Sequence, residues 1–220
     1  MTTSPIRIVI EETPKKTFAS AIDWPGWSRS GKTEDAAVAT LLAYAERYRP
    51  VAERAGRFVT GPEGVDVVDR LPGDASTTFG VPGRVHAVDH APLERGELGQ
   101  HVALLTACWE VFFEVAGRVT PELRKGPRGG GRDRDAIVAH VVEADRSYAR
   151  QLDVRTPPYT LDPLDRAAFE AHRQAVLAAI PEYSDGHTRT EKSWPLRYTI
   201  RRMAWHILDH AWEMEDKTLA

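Results

Sequence analysis

The chain contains a single cysteine, Cys108. One thiol excludes an intrachain disulfide and every cysteine-rich zinc motif. Its neighbours in the run Thr106–Phe113 are largely apolar, so Cys108 reads as a small core residue. Long hydrophobic runs are also missing. No stretch approaches the roughly 20 apolar residues a membrane helix needs. Charge of one sign is not in excess: 29 Lys and Arg face 32 Asp and Glu, a formal net charge of −3. That balance supplies no global field to attract nucleic acid or an anionic membrane surface. Residues 1–16 lack the basic-then-apolar order of a signal peptide, so the cytoplasm is the expected location. A length of 220 residues suits one or two compact domains.

What is present divides into two halves. In residues 1–92, short apolar runs are interrupted by Gly and Pro. Ile6–Ile10 is rich in β-branched residues, as a strand favours, and Thr17–Ile22 suits a hairpin partner. Thr33 followed by Glu34 and Asp35 reads as an N-cap with an acidic first turn, opening a helix that ends near Arg49 and Pro50. Val65–Val68 and Thr77–Val81 are further strand candidates. The expectation is a small α+β domain with a three- or four-stranded sheet and one helix.

Residues 93–220 carry four helical repeats. Leu98, Val102, Leu105, Trp109, Phe112 and Ala116 define the first. The second opens at Asp133, with Ile137, Val141, Ala144 and Tyr148 on one stripe. The third runs from Leu164 to Ile180 and closes at Pro181. Leu196, Ile200, Met203, Ile207, His210 and Met214 mark the fourth. Four such stripes bury themselves most simply against one another, in an up-down four-helix bundle.

The chain has eight histidines. His206 and His210 are four apart, so they share a face of the fourth helix one turn apart. His140 flanks the apolar stripe of the second helix. Three imidazoles suit zinc, nickel, iron or copper and leave a coordination position open. The same pattern also suits histidines hydrogen-bonded in a core. The spacing is not H-E-x-x-H, because position 207 is Ile, so a metalloprotease motif is excluded. Glu143 and Glu213 each follow a histidine by three residues. Glu213 is the candidate catalytic residue, as a general base or a fourth ligand; an exposed helix-face charge is the alternative. Glu110, Glu114 and Glu170 lack the E-x-x-H partners of a two-metal bundle. Trp205 and Trp212 suit core packing. The Lys125–Arg134 loop has three consecutive glycines and several arginines, suited to a solvated loop or an anion site involving Arg128 or Arg132.

The segments D-A-I-V-A-H140-V-V-E-A-D and R-R-M-A-W-H206-I-L-D-H210-A-W-E resemble the DinB-like (YfiT-like) superfamily over roughly residues 95–217. In that superfamily one histidine of the second helix and an H-x-x-x-H pair of the fourth hold a divalent metal. The resemblance implies His140, His206 and His210 as ligands, zinc or nickel as the first candidates and iron as a third. It further implies a metal-dependent thiol transferase or hydrolase acting on a small molecule, with a low-molecular-weight thiol as cosubstrate. An alanine- and arginine-rich composition fits a high-GC bacterial source, for which mycothiol is a candidate thiol.

Gly26–Thr33 matches G-x-x-x-x-G-K-[ST] literally, yet too little chain is available for the parallel sheet a phosphate loop requires. The surrounding I-R-I-V-I-E-E and F-A-S-A-I-D-W-P-G-W-S-R-S-G-K-T-E-D-A-A, within residues 6–49, instead resemble the HicB-type antitoxin domain. The helical region stands where such antitoxins carry a DNA-binding domain, so their function is not carried over. Trp24 and Trp27 are expected in the core or in a lid. A second functional reading remains: a non-enzymatic, metal-stabilised module whose HicB-like domain binds a protein, with homodimerisation left open.

Overall fold

The structure, a computed structural model, describes residues 5–57, 64–127, 130–158 and 166–219. It is α+β: an N-terminal four-stranded sheet followed by a helical region. No helix among the described residues is long and apolar enough to cross a membrane.

Strand β1 (Ile6–Glu12) lies inside the sheet, in the order β3-β2-β1-β4. Its Ile6, Ile8, Val9 and Ile10 are all buried, as expected of a strand covered on both faces. β2 (Thr17–Ala21) returns antiparallel, with Ile8 opposite Ala21 and Glu12 opposite Thr17. β3 (Ser28–Gly31) pairs antiparallel with β2 at one edge. Thr33 then caps α1 (Glu34–Ala43), its hydroxyl accepting from the Ala36 N–H. The G-x-x-x-x-G-K-T match is thus an edge strand and a helix cap, not a phosphate-cradling loop.

The expected single helix is two. α1 stops at Tyr44, and α2 (Ala45–Arg54) continues through Pro50. Proline removes one intrahelical hydrogen bond, but Tyr48, Val51 and Ala52 are all buried, and that packing carries the helix past it. β4 (Val65–Pro72) runs parallel to β1, with an irregularity between Ile8 and Val9. The strand expected over Thr77–Val81 is instead part of a short helix, α3 (Ala75–Phe79). Asp74 and Thr77 form a reciprocal capping box, and Gly80 at φ +118° ends the helix. Cap chemistry outweighs the local β-propensity of the threonines.

The helical region comprises α4 (Arg95–Arg118), α5 (Arg134–Ala149), α6 (Arg166–Ala179) and α7 (Leu196–Lys217). α4 and α5 both pack on α7, and α6 packs on α5. Phe169 of α6 also meets Trp109 and Phe113 of α4, with ring centroids 6.2 and 4.8 Å apart. Leu164, the expected start of the third helix, lies outside the described residues. Pro181 does not stop the chain there, because a 3-10 turn continues over Ile180–Tyr183. Asp133 precedes α5 as expected, but its carboxylate makes no cap bond. It accepts from the Leu123 N–H at 3.0 Å, tying the preceding loop.

The buried apolar residues of both halves form one continuous cluster. The Trp24–Trp27 segment is its hinge pin. Trp27 is fully buried, stacks on Tyr48 at 5.1 Å and donates from its indole to the Leu41 carbonyl at 2.8 Å. The Tyr48 hydroxyl donates to the Pro25 carbonyl at 2.8 Å. Gly26, at φ +95°, presses against α7: an added Cβ would stand 2.7 Å from Leu208 and 3.2 Å from the Ala204 carbonyl oxygen. Gly26→Ala is expected to lower unfolding free energy by about 1–3 kcal/mol, from backbone strain and crowding together, measured by urea titration. Cys108 is buried in the same core, and burial raises its thiol pKa, so it is not a reactive nucleophile.

Candidate metal centre

α5 and α7 bring His140, His206 and His210 to one place. One ring nitrogen from each lies within 4.8 Å of the others. The ring centroids are 5.1 Å apart for His140–His206, 5.1 Å for His140–His210 and 4.7 Å for His206–His210. The helical repeat explains the local arrangement: residues four apart on α7 stack on one face, and that face looks at α5. His206 is 8% exposed, whereas His140 and His210 are half-buried. The group therefore has a buried floor and an accessible rim.

Electrostatics favour the neutral, ligating form of His206 and His140. Burial, then the neighbouring His210 and His140, then Arg202 and Arg132, push the His206 pKa down to about 2. Burial, His210 and Arg132 also lower that of His140, against an opposing pull from Glu213. Neutral imidazole is the form that binds metal. Three converging imidazole nitrogens, partly withdrawn from water, fit a zinc- or nickel-type ion with an open position.

Glu213 lies beside this group rather than within it. Its carboxylate accepts from His210 Nδ1 at 2.7 Å and also from Lys217 Nζ. The bond to His210, ahead of that to Lys217, draws the Glu213 pKa down to about 2 against the effect of burial. With Nδ1 turned to Glu213, Nε2 is the His210 nitrogen left to face the site. This is the carboxylate–histidine arrangement that fixes a ligand's tautomer and orientation. Glu213→Gln keeps the side-chain size but weakens that anchor. It is expected to reduce divalent-metal affinity about 10–100-fold, read by competition with a chromogenic chelator.

The other carboxylates of these helices, Asp209 and those weighed from sequence, are engaged elsewhere. Asp209 pairs with Arg29 at 2.9 Å, Glu143 with Arg146, and Glu114 with Arg54 and Arg118. Glu110 and Glu170 face Arg173 at 3.9 and 3.1 Å. None joins the histidine group among the described residues, so the two-metal arrangement has no support. Trp205 and Trp212 are buried, as expected. Arg201 is 3% exposed and pairs with Asp89. Arg197 is bound by Glu97. Arg128 lies outside the described residues, and Arg132 is exposed.

The sequence put Tyr148 on the apolar stripe of the second helix, but did not place it or Arg202 beside the histidines. Tyr148 stands eight residues beyond His140 on α5, and its ring centroid is 5.7 Å from that of His206. Arg202 precedes His206 by one helical turn and donates to the Tyr148 hydroxyl at 3.2 Å. The signal was available as the α7 stripe 202-206-210-213-217, but its polar members do not resemble an apolar repeat. At the other end of the site, a groove of about 420 Å³ is lined by Arg29, Asp209, Trp212, Glu213, Asp216 and Lys217. That size suits a small molecule.

No protein-family model, curated protein or solved structure matches this chain.

Proposed function

We propose that this protein is a metal-dependent enzyme of the DinB-like type. In this reading α4, α5, α6 and α7 are its four-helix bundle and His140, His206 and His210 are its metal ligands. The observation that carries the reading is the convergence of three imidazole nitrogens from two helices within 4.8 Å. Their order along the chain agrees with the resemblance of residues 95–217 to that superfamily. The reaction proposed is thiol transfer to, or hydrolysis of, a small molecule, with zinc or nickel as the ion.

When bound, such an ion supplies Lewis acidity and lowers the pKa of a thiol or water at its open position. The chain's residues perform the remaining work. His206 forms the buried floor, where exclusion of water strengthens electrostatic interactions. Glu213 holds the His210 ring by accepting a hydrogen bond from Nδ1, and Lys217 in turn donates to Glu213. Glu213 is therefore a positioning residue in this arrangement, with proton transfer as a second use of a carboxylate so placed.

The test is elemental analysis of purified wild type beside a cobalt(II) titration followed by visible absorption. One equivalent of metal, with the spectrum of low-coordinate nitrogen ligation, supports the reading. Absence of binding, or full retention of metal by His140→Ala, overturns it.

A further inference from the structure

Most arginines on α5 and α7, or meeting them, are paired with carboxylates. Arg29 is paired with Asp209, Arg146 with Glu143, Arg197 with Glu97 and Arg201 with Asp89. The walls of the groove beside Glu213 are likewise internally paired, Lys217 with Glu213 and Asp216 with Arg47. Arg202 is different. No carboxylate pairs with it among the described residues. Its two hydrogen bonds are long and go to neutral oxygens, the Tyr148 hydroxyl at 3.2 Å and the Pro82 carbonyl at 3.5 Å. Its Nε is buried without a partner. A guanidinium offers five N–H donors in a planar fork suited to oxyanions, so most of its capacity is unused.

The position is specific. Arg202 lies over the rings of Trp205 and Tyr148, at 4.9 and 5.3 Å, which fixes its plane. Tyr148 bridges Arg202 to His206 and also meets Trp194, at a centroid distance of 5.6 Å. The positive charge of Arg202 is felt at His206, as is that of Arg132, which also has no carboxylate partner among the described residues. The ring faces stabilise the guanidinium in place, while its unpartnered Nε and spare donors leave it free to take an anion.

We propose that Arg202 and Tyr148 form a subsite for the oxyanion, carboxylate or phosphate, of the small molecule handled at the histidines. Arg202 receives the anion through its fork, and Tyr148 and Trp194 supply flat apolar faces for the adjoining group. Arg132 adds attraction from the loop preceding α5. The proposal deepens the enzymatic reading, resting on it only for the neighbouring reactive group.

The experiment is calorimetric titration of the full chain, metal-loaded and metal-free, with benzoate, phenyl phosphate and neutral benzamide. Wild type, Arg202→Gln and Arg202→Lys are compared, with metal content and melting temperature measured for each. At least one of the two anions is expected to bind wild type, at least tenfold more tightly than it binds Arg202→Gln. Arg202→Lys should fall several-fold, because lysine lacks the fork. Benzamide should not bind, and metal content should match wild type in both variants. Equal anion affinity in wild type and a folded Arg202→Gln overturns the proposal, as does benzamide binding as well as the anions, or no anion binding at all. If Arg202→Gln melts well below wild type, Arg202→Lys carries the comparison, and unchanged affinity there overturns the proposal. Should wild type take up no metal, the enzymatic reading fails alone. Arg202-dependent anion binding by the metal-free chain would still support the subsite.

Discussion

His206→Ala is expected to bind a divalent metal at least about 100-fold more weakly than wild type. Loss of an outer-shell partner of a metal-bound histidine already costs about 10–100-fold, and His206 is proposed as a direct ligand. It is also the most buried of the three, with its ring 5.1 and 4.7 Å from the other two. The two remaining imidazoles share only one edge of the site. The metal-free protein should tolerate the change well. The replaced ring is held neutral by burial and its neighbours, so no buried charge is stranded. Melting temperatures in chelator should therefore lie close together, while added metal raises only that of wild type. At 100 times the dissociation constant a ligand stabilises its protein by about 2.7 kcal/mol. Elemental analysis and thermal melts with and without metal read both quantities. Stoichiometric metal retained by the variant would remove His206 from the site. Metal loss with an intact fold favours a site for chemistry over a purely structural ion.

The largest effect on stability is expected at Asp89→Ala, about 3–5 kcal/mol of unfolding free energy. Asp89 is 2% exposed and its carboxylate accepts from Arg201 of α7 at 2.5 Å and from the His86 N–H at 2.8 Å. Arg201 is 3% exposed. Removing the carboxylate strands a buried guanidinium, whose desolvation is no longer offset. Glu11 is also buried and contributes attraction to Arg201, which places the loss toward the lower end of the range. Asp89→Ala combined with Arg201→Met should recover part of it, because replacing a whole buried pair costs far less than breaking it. Equilibrium urea unfolding decides the matter. A single-variant loss under 1 kcal/mol would show that water reaches the guanidinium. This pair also joins the turn at Ala87–His90 to α7, so it helps to lock the two halves together.

The strengths and failures of the sequence reading have separate physical causes. The four helical stretches were legible because each must bury a stripe that repeats every 3.6 residues, a property written along the chain. β1 and β2 were legible because β-branched and alternating residues suit a pleated surface. Thr77–Val81 was misread because helix caps depend on one or two side-chain bonds, here from Asp74 and Thr77, which a propensity window averages away. The helix through Pro50 was misread because its stability comes from partners in the core, not from its own residues. The burial of Arg201 was not legible because a charged residue paired with a partner over 100 residues away carries no local mark.

For the site, the sequence determined the i, i+4 placement of His206 and His210 on one face, because backbone geometry alone sets that spacing. It also supplied the third histidine on another helix, and the Glu213 offset that the His210 Nδ1 bond uses. Tertiary structure decided the rest. The rotation of α5 against α7 determines that His140 faces the pair, and packing between helices sets that angle. Whether Glu213 belongs to the group or stands behind it depends on which ring nitrogen it meets. Whether an arginine is neutralised or left available depends on carboxylates brought near it from distant parts of the chain. Periodicity is a one-dimensional property and can be read in one dimension. Charge pairing and helix rotation arise only when the chain closes on itself.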